Sequence, residues 1–222
     1  VAADISLLQS GTPTTTDLRD VYSVIEYLRD TASHGVVIQP IDLSRVIVVP
    51  YGDGSWANVA DLRSQIGYIC CLTTDGALTG EAPASVCDWR SCRSKRKLRA
   101  TLAVEAAAAD HAADRGTWVS AHLTECLTGV SAISQDSADR IPVVPVTDAK
   151  SLYDAVQAMN PTVDDKRTLL DILSLSSTVG ASGLRWVPGS LMWADGLTKR
   201  GDKALRARFS AWLQSPTVRL RD

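Results

Sequence analysis

The 222-residue sequence contains no stretch approaching the ~20 consecutive apolar residues of a membrane span, which argues against a transmembrane helix. Its opening, VAADISLL, has no basic region and runs on into polar sequence, so it does not read as a secretion signal. There is no initiator Met, and the sequence is expected to be a piece of a longer chain. Charge of one sign is also missing. With 23 Lys and Arg against 25 Asp and Glu, the net charge is −2, so no global basic field advertises nucleic acid, and a polyanion would have to meet a local patch. The five cysteines (Cys70, Cys71, Cys87, Cys92, Cys126) are an odd number. They are expected to be reduced, mostly buried thiols of an intracellular protein, because Cys87 and Cys92 lack a second pair at zinc-ligand spacing.

What is present is a composition that is 45% hydrophobic, enough for one ordinary globular domain plus an appendage. The chain is organised around Arg45 to Trp56, RVIVVPYGDGSW, a β-branched run that ends in Asp53 and reads as a buried strand. A carboxylate at the C-terminal end of such a strand emerges where open α/β sheets place their ligands. The same construction returns in IPVVPVTD, which ends in Asp148. Two acidic strand ends side by side suggest a metal.

Around these, TPTTTD predicts a turn and a helix cap, and DLRDVYSVIEYLRD (17–30) places Leu18, Val21, Tyr22, Ile25 and Leu28 at amphipathic helical spacing. Strands are expected over 64–73 and 84–89, which with the first strand make antiparallel hairpins. Next come the basic RSCRSKRKLR and an alanine-rich helix from Thr101. After the strand to Asp148, helices are predicted for AKSLYDAVQAM and 166–179, a strand for LRWV, and helices near 190–197 and 203–213. The order βββαβαβα predicts an α/β fold with a five-stranded mixed sheet flanked by helices and a short N-terminal helical appendage.

Glu105 lies inside LAVEAAAAD with no intrahelical salt-bridge partner. A solvated helical glutamate is the ordinary reading of such a residue. Here the apolar neighbours would bury it unless a metal or a wet cleft received it. Asp195, in MWADGLTK, reads by itself as a helix cap or a surface acid. The basic run, taken alone, is either a solvated helix entrance or a partner surface.

Together these segments resemble the ribonuclease H domain of Copia-type LTR retrotransposon Pol polyproteins. YGDGSW followed by DLRSQIGYICCL resembles the opening of that domain. WRS (89–91), the basic segment, the helical Glu105, TDAKS (147–151) and WVPGSLMWADGLTK (186–199) follow in the family's order. The last of these is the most specific. Residues 2–36 resemble the segment that follows the reverse transcriptase palm in such polyproteins. No polymerase Tyr-x-Asp-Asp motif is present.

The resemblance implies a ribonuclease H-like domain over 41–200, preceded by a polymerase-connection segment (1–40) and followed by a C-terminal helical tail (201–222). It implies endonucleolytic, metal-dependent hydrolysis of the RNA strand of RNA–DNA hybrids, with Asp53, Glu105, Asp148 and Asp195 as catalytic acids holding two Mg²⁺ or Mn²⁺ ions roughly 4 Å apart. Asp53 would bridge the two ions, with Glu105 and Asp148 on one side and Asp195 on the other. Arg90, Arg93, Lys95, Arg96 and Lys97, with Arg99, would hold hybrid phosphates. The expected partners are the hybrid and the reverse transcriptase portion of the same polyprotein, with no membrane. The expected location is intracellular, in a cytoplasmic retroelement particle or the nucleus. Trp56 and Trp89 are expected in the core.

The chain departs from the family pattern in several places. Pro50 and Pro145 interrupt central strands, which predicts bulges or a locally weakened sheet. ATLAV replaces the usual Ser/Thr-rich and Glu-containing lead into the catalytic helix. KRTLLDI keeps Asp171 but has no histidine, and none lies between Asp148 and Asp195. The alternative function is a non-catalytic, connection-like or decayed module that binds nucleic acid and packs against the polymerase. A transposase or integrase core fits less well, because its last acid is normally a helical glutamate.

Overall fold

The computed structural model describes residues 1–9, 14–56, 62–131, 140–158, 161–179, 183–199 and 202–220. Of the sequence readings, the turn at Thr12 and Pro13, Asp61 of DLRSQ, Met159 and Arg200 lie outside these residues. The strands are β1 (Val46–Ser55), β2 (Gln65–Thr74), β3 (Glu81–Pro83), β4 (Ser85–Arg93), β5 (Val146–Thr147), β6 (Arg185–Trp186) and β7 (Thr217–Arg219). The helices are α1 (Ala2–Leu8), α2 (Thr15–Asp30), α3 (Thr101–Thr128), α4 (Lys150–Gln157), α5 (Lys166–Val179), α6 (Asp195–Thr198) and α7 (Lys203–Gln214).

Five strands form one mixed sheet in the order β4-β2-β1-β5-β6, with β4, β2 and β1 antiparallel and β5 and β6 parallel to β1. This is the five-stranded mixed α/β arrangement expected from the order of elements. The apolar run of β1 is continuous because both of its faces are covered. Ile47, Val49 and Tyr51 enter a core with Ile69, Met192, Leu197, Trp212 and Val218. The other face lies under α3. There the approach is unusually close: a Cβ on Gly52 would come within 2.6 Å of the Ala108 carbonyl oxygen, and one on Gly116 within 2.7 Å of Pro50 Cγ. Alanines on the helix and glycines on the strand let α3 sit directly on β1, which carries Asp53.

The proline expectation is corrected in part. Register between β1 and β2 runs without a shift through Pro50, opposite Cys70, and the irregularity instead falls between Cys70 and Cys71 where β2 meets β4. Pro50, which has no N–H, coincides with a gap in the parallel pairing to β5, confined to Val48↔Val143 and Tyr51↔Val146. Pro145 leaves β5 two residues long, and its carbonyl accepts from the Arg185 N–H at 2.9 Å.

A second sheet, β3 with β7, was not foreseen. It ties the C-terminal segment to the β2–β4 region, and Leu220 N–H donates to the Ala77 carbonyl at 2.9 Å. Trp212, Val218 and Leu220 thereby enter the main core. The helix expected near 190–197 is instead a 3-10 turn (Gly189–Leu191) followed by the single turn of α6. Helix α2 forms as its spacing predicts, with Thr14 and Asp17 in a reciprocal cap. Its apolar stripe, however, faces outward: Leu18, Tyr22 and Ile25 are 55%, 61% and 54% exposed. The side turned to the domain carries Asp20, Ser23, Val24 and Tyr27, with the Arg206 guanidinium 5.1 Å from the Tyr27 ring centre.

Cysteine burial is also corrected: Cys70 and Cys71 are buried, but Cys87 and Cys126 are exposed and Cys92 is intermediate. Cys87 and Cys92 lie on β4, an edge strand of the sheet, and Cys126 lies near the end of α3. Among the described residues, no helix is long and apolar enough to cross a membrane.

Candidate metal centre

Asp53 sits near the C-terminal end of β1 and Asp148 directly after β5, the neighbouring parallel strand, so the sheet itself brings the two carboxylates together. Glu105 lies in the second turn of α3, where the close crossing over β1 carries it to the same edge. Asp53, Glu105 and Asp148 each offer an oxygen, and these oxygens all lie within 4.8 Å of one another.

The cluster is poorly solvated. Asp53 is 2% exposed and Glu105 8%. Burial, reinforced by the charge of Asp195, pushes the Asp53 carboxyl up to about 6, against the pull of the Thr198 hydroxyl and Lys199. Burial, with Asp53 and Asp148 nearby, pushes Glu105 up to about 9. Asp148 is raised by burial and then by Asp195. Glu105 Oε2 is buried and has no hydrogen-bond partner among the described residues. A buried, unpartnered oxygen on a carboxyl group beside two other acids is costly unless a cation receives it. Three oxygen donors, with neither sulfur nor imidazole among them, suit Mg²⁺ or Mn²⁺ rather than zinc. The residues present therefore fit a divalent ion.

Asp195 is placed differently. As the first residue of α6, it lies close enough to raise Asp53 and Asp148, yet its own oxygens face cations. Lys199 Nζ is 2.5 Å from Oδ1, and Arg208 is 3.9 Å from Oδ2. The same turn supplies Thr198, whose hydroxyl donates to Asp53. Helix α6 is seated on β2 because Gly67 has no side chain: a Cβ there would meet Leu197 Cβ and Thr198 Cγ2 at 2.8 Å. Ser91 Oγ of the WRS element donates to the Leu197 carbonyl at 2.5 Å and pins the turn from β4.

The basic run divides between two elements. Arg90 and Arg93 lie on β4 rather than at the entrance of α3, while Lys95, Arg96, Lys97 and Arg99 occupy the connection to the helix. Arg96 is spent on an ion pair with Asp171 of α5. Lys97 and Arg99 are exposed and, with Arg167 of α5, border a cleft of about 250 Å³. Trp56 stands beside it, 51% exposed, with its indole N–H donating to the Leu98 carbonyl at 3.1 Å. The expectation that Trp56 and Trp89 are core residues is thus overturned: Trp56 follows the end of β1, and Trp89, 56% exposed, is on the edge strand β4 opposite Ile69, at the margin of the sheet.

Sequence reading missed Arg167, Lys199 and Arg208. The i, i+4 spacing of Asp195 and Lys199 was an available signal for their pairing. Nothing local announces Arg167 or Arg208, which reach the site through the tertiary fold.

No family model matches this chain, and no curated protein matches it. Among solved structures, the chain is similar to the N-terminal RNase H domain of a Mycobacterium tuberculosis protein, at 15% identity and a TM-score of 0.44 over 75% of this chain and 98% of that one. It is similar to RNase H1 of the archaeon Halobacterium salinarum, at 12% identity and TM-score 0.44, covering 68% of this chain and 93% of that one. A foamy viral protease-reverse transcriptase in complex with an RNA/DNA hybrid matches at 13% identity and TM-score 0.44, over 90% of this chain but 28% of that one.

Proposed function

We propose that this protein is a metal-dependent endonuclease that hydrolyses the RNA strand of RNA–DNA hybrids. The observation that carries the reading is the convergence of Asp53, Glu105 and Asp148, the first two buried and the third half-buried, with Glu105 Oε2 lacking a hydrogen-bond partner among the described residues. A domain without such chemistry has no physical use for two buried carboxyl groups set against a third acid. The ribonuclease H-like sheet and the Copia-like motifs supply the substrate class.

Asp53, Glu105 and Asp148 would hold the first divalent ion, Mg²⁺ or Mn²⁺, and Asp53 with Asp195 the second. Such ions supply charge neutralisation and water activation for displacement at a phosphodiester. Thr198 fixes one Asp53 oxygen, so the shared carboxylate presents a set orientation. Lys97, Arg99 and Arg167, with Arg90, Arg93 and Lys95 further along, would hold hybrid phosphates and set the register of the scissile bond. Arg96 would act mainly through Asp171, bracing the loop.

The same reading places the domain in a retrotransposon Pol polyprotein, at work inside the cell in a cytoplasmic particle or the nucleus. Residues 1–40 would connect it to the polymerase, 41–200 would be the nuclease, and 201–222 its tail. The outward apolar stripe of α2 is the surface we assign to the polymerase contact.

The test is cleavage of a hybrid labelled on its RNA strand, in Mg²⁺ and in Mn²⁺, beside Asp53→Asn and Asp148→Asn. Cutting by the wild type that both substitutions abolish supports the enzyme. A folded wild type as silent as its variants, yet still binding hybrid, points to the non-catalytic module.

A further inference from the structure

The four acids are not equivalent. Three converge with an unpartnered oxygen, and the fourth, Asp195, is already engaged by two cations of the chain itself. Lys199 reaches Asp195 from four residues on, across the single turn of α6, and its side chain is 45% exposed, so its ammonium stands at the mouth of the cluster rather than inside it. Its field also acts on Asp53 and Asp148.

We propose that Lys199 is a resident counter-ion on the Asp195 flank of the cage, which a second divalent ion must displace. This rests on the metal-binding reading above and names the residue that regulates it. The triad side offers an ion three carboxylates, and among the described residues Glu105 Oε2 has no hydrogen-bond partner. The Asp195 side offers a carboxylate whose Oδ1 is already 2.5 Å from an ammonium. An ion entering there meets like-charge repulsion from Lys199 and must break its ion pair. The two positions therefore differ in affinity: the first fills readily, and the second fills only as Lys199 swings into solvent, which its exposed stem permits. Without metal, the ammonium offsets part of the repulsion among Asp53, Asp148 and Asp195. Arg208, 3.9 Å away on the other oxygen, keeps Asp195 in place when Lys199 leaves.

The experiment is Mn²⁺ titration of the full chain by calorimetry, together with melting temperatures in chelator and in Mn²⁺, for wild type, Lys199→Met, Lys199→Arg and Asp195→Asn. The wild type should bind one ion tightly and one weakly. Lys199→Met should tighten the weak site by on the order of tenfold, tighten the first site much less because Lys199 is ion-paired to Asp195 and not to the triad, and melt lower in chelator with recovery in Mn²⁺. Lys199→Arg should restore the weak site of the wild type, and Asp195→Asn should remove it. If Lys199→Met melts lower but binds both ions as the wild type does, Lys199 is only a structural ion pair and the proposal is overturned. If Lys199→Met does not fold, Lys199→Arg binding the second ion as tightly as the first overturns it equally. A wild type that binds no Mn²⁺ overturns both this proposal and the metal-binding reading, which separates the two failures.

Discussion

The hydroxyl of Thr198 donates a hydrogen bond to Asp53, joining the single turn of α6 to the end of β1 across the sheet edge. A bond to an ionised carboxylate favours its charged form, so it works against the burial that raises the Asp53 pKa. Thr198→Val keeps the shape and removes the bond. It should weaken Mn²⁺ binding at the triad about tenfold, the scale of one hydrogen bond to a charged group. Calorimetric titration checks this, and Thr198→Ser should bind as the wild type does.

The raised carboxyls make stability depend on pH with a definite sign. Asp53 at about 6 and Glu105 at about 9 lie above their ordinary values, 3.8 and 4.5. Protons are thus held more tightly in the folded state, and the associated stability is fully present below pH 4 and lost as pH rises toward 9. In chelator, the melting temperature should fall across that window, and Glu105→Gln should flatten the fall. Saturating Mg²⁺ should counteract the loss most strongly at high pH, where the carboxylates are charged.

The seat of α3 on β1 predicts an intolerant glycine. In Gly52→Ala the new methyl would lie 2.6 Å from the Ala108 carbonyl oxygen, which is backbone, so the helix itself must shift. The expected loss is about 2 to 3 kcal/mol, measurable by urea unfolding. The shift would also carry Glu105 away from Asp53, so metal affinity should fall in the protein that remains folded.

Lys97, Arg99 and Arg167 face the cleft, while Arg96 is held by Asp171. Removing Arg99 and Arg167 together should lower the salt dependence of hybrid binding by about two phosphate contacts. Removing Arg96 should act chiefly on stability. Binding isotherms of Asp53→Asn protein at several salt concentrations distinguish these outcomes.

How much of this was legible in the sequence depends on how local each feature is. The run to Asp53 could be read because β1 is buried on both faces, and an apolar strand with an acid at its end has few other uses. Glu105 was legible because its neighbours are nearly all small and apolar. The pairing of β7 with β3 could not be read, since it joins residues 81–83 to 217–219 and neither segment carries a strand pattern. Trp56 and Trp89 misled because an aromatic beside a buried strand usually belongs to the core, whereas one follows a strand end and the other lies on an edge strand. The placement of Asp195 beside Lys199 and Arg208 arose where a helix expected over eight residues broke into two turns.

The most direct measurement is the chemistry of the ends produced from a hybrid incubated with the wild-type protein and Mg²⁺. Water attack with departure of the 3′ oxygen, supported by the acids around Asp53, predicts RNA fragments with 5′-phosphate and 3′-hydroxyl ends, an intact DNA strand, and no products in chelator. Fragments carrying 2′,3′-cyclic phosphates, or cutting that persists in chelator or in Asp53→Asn, would contradict the account.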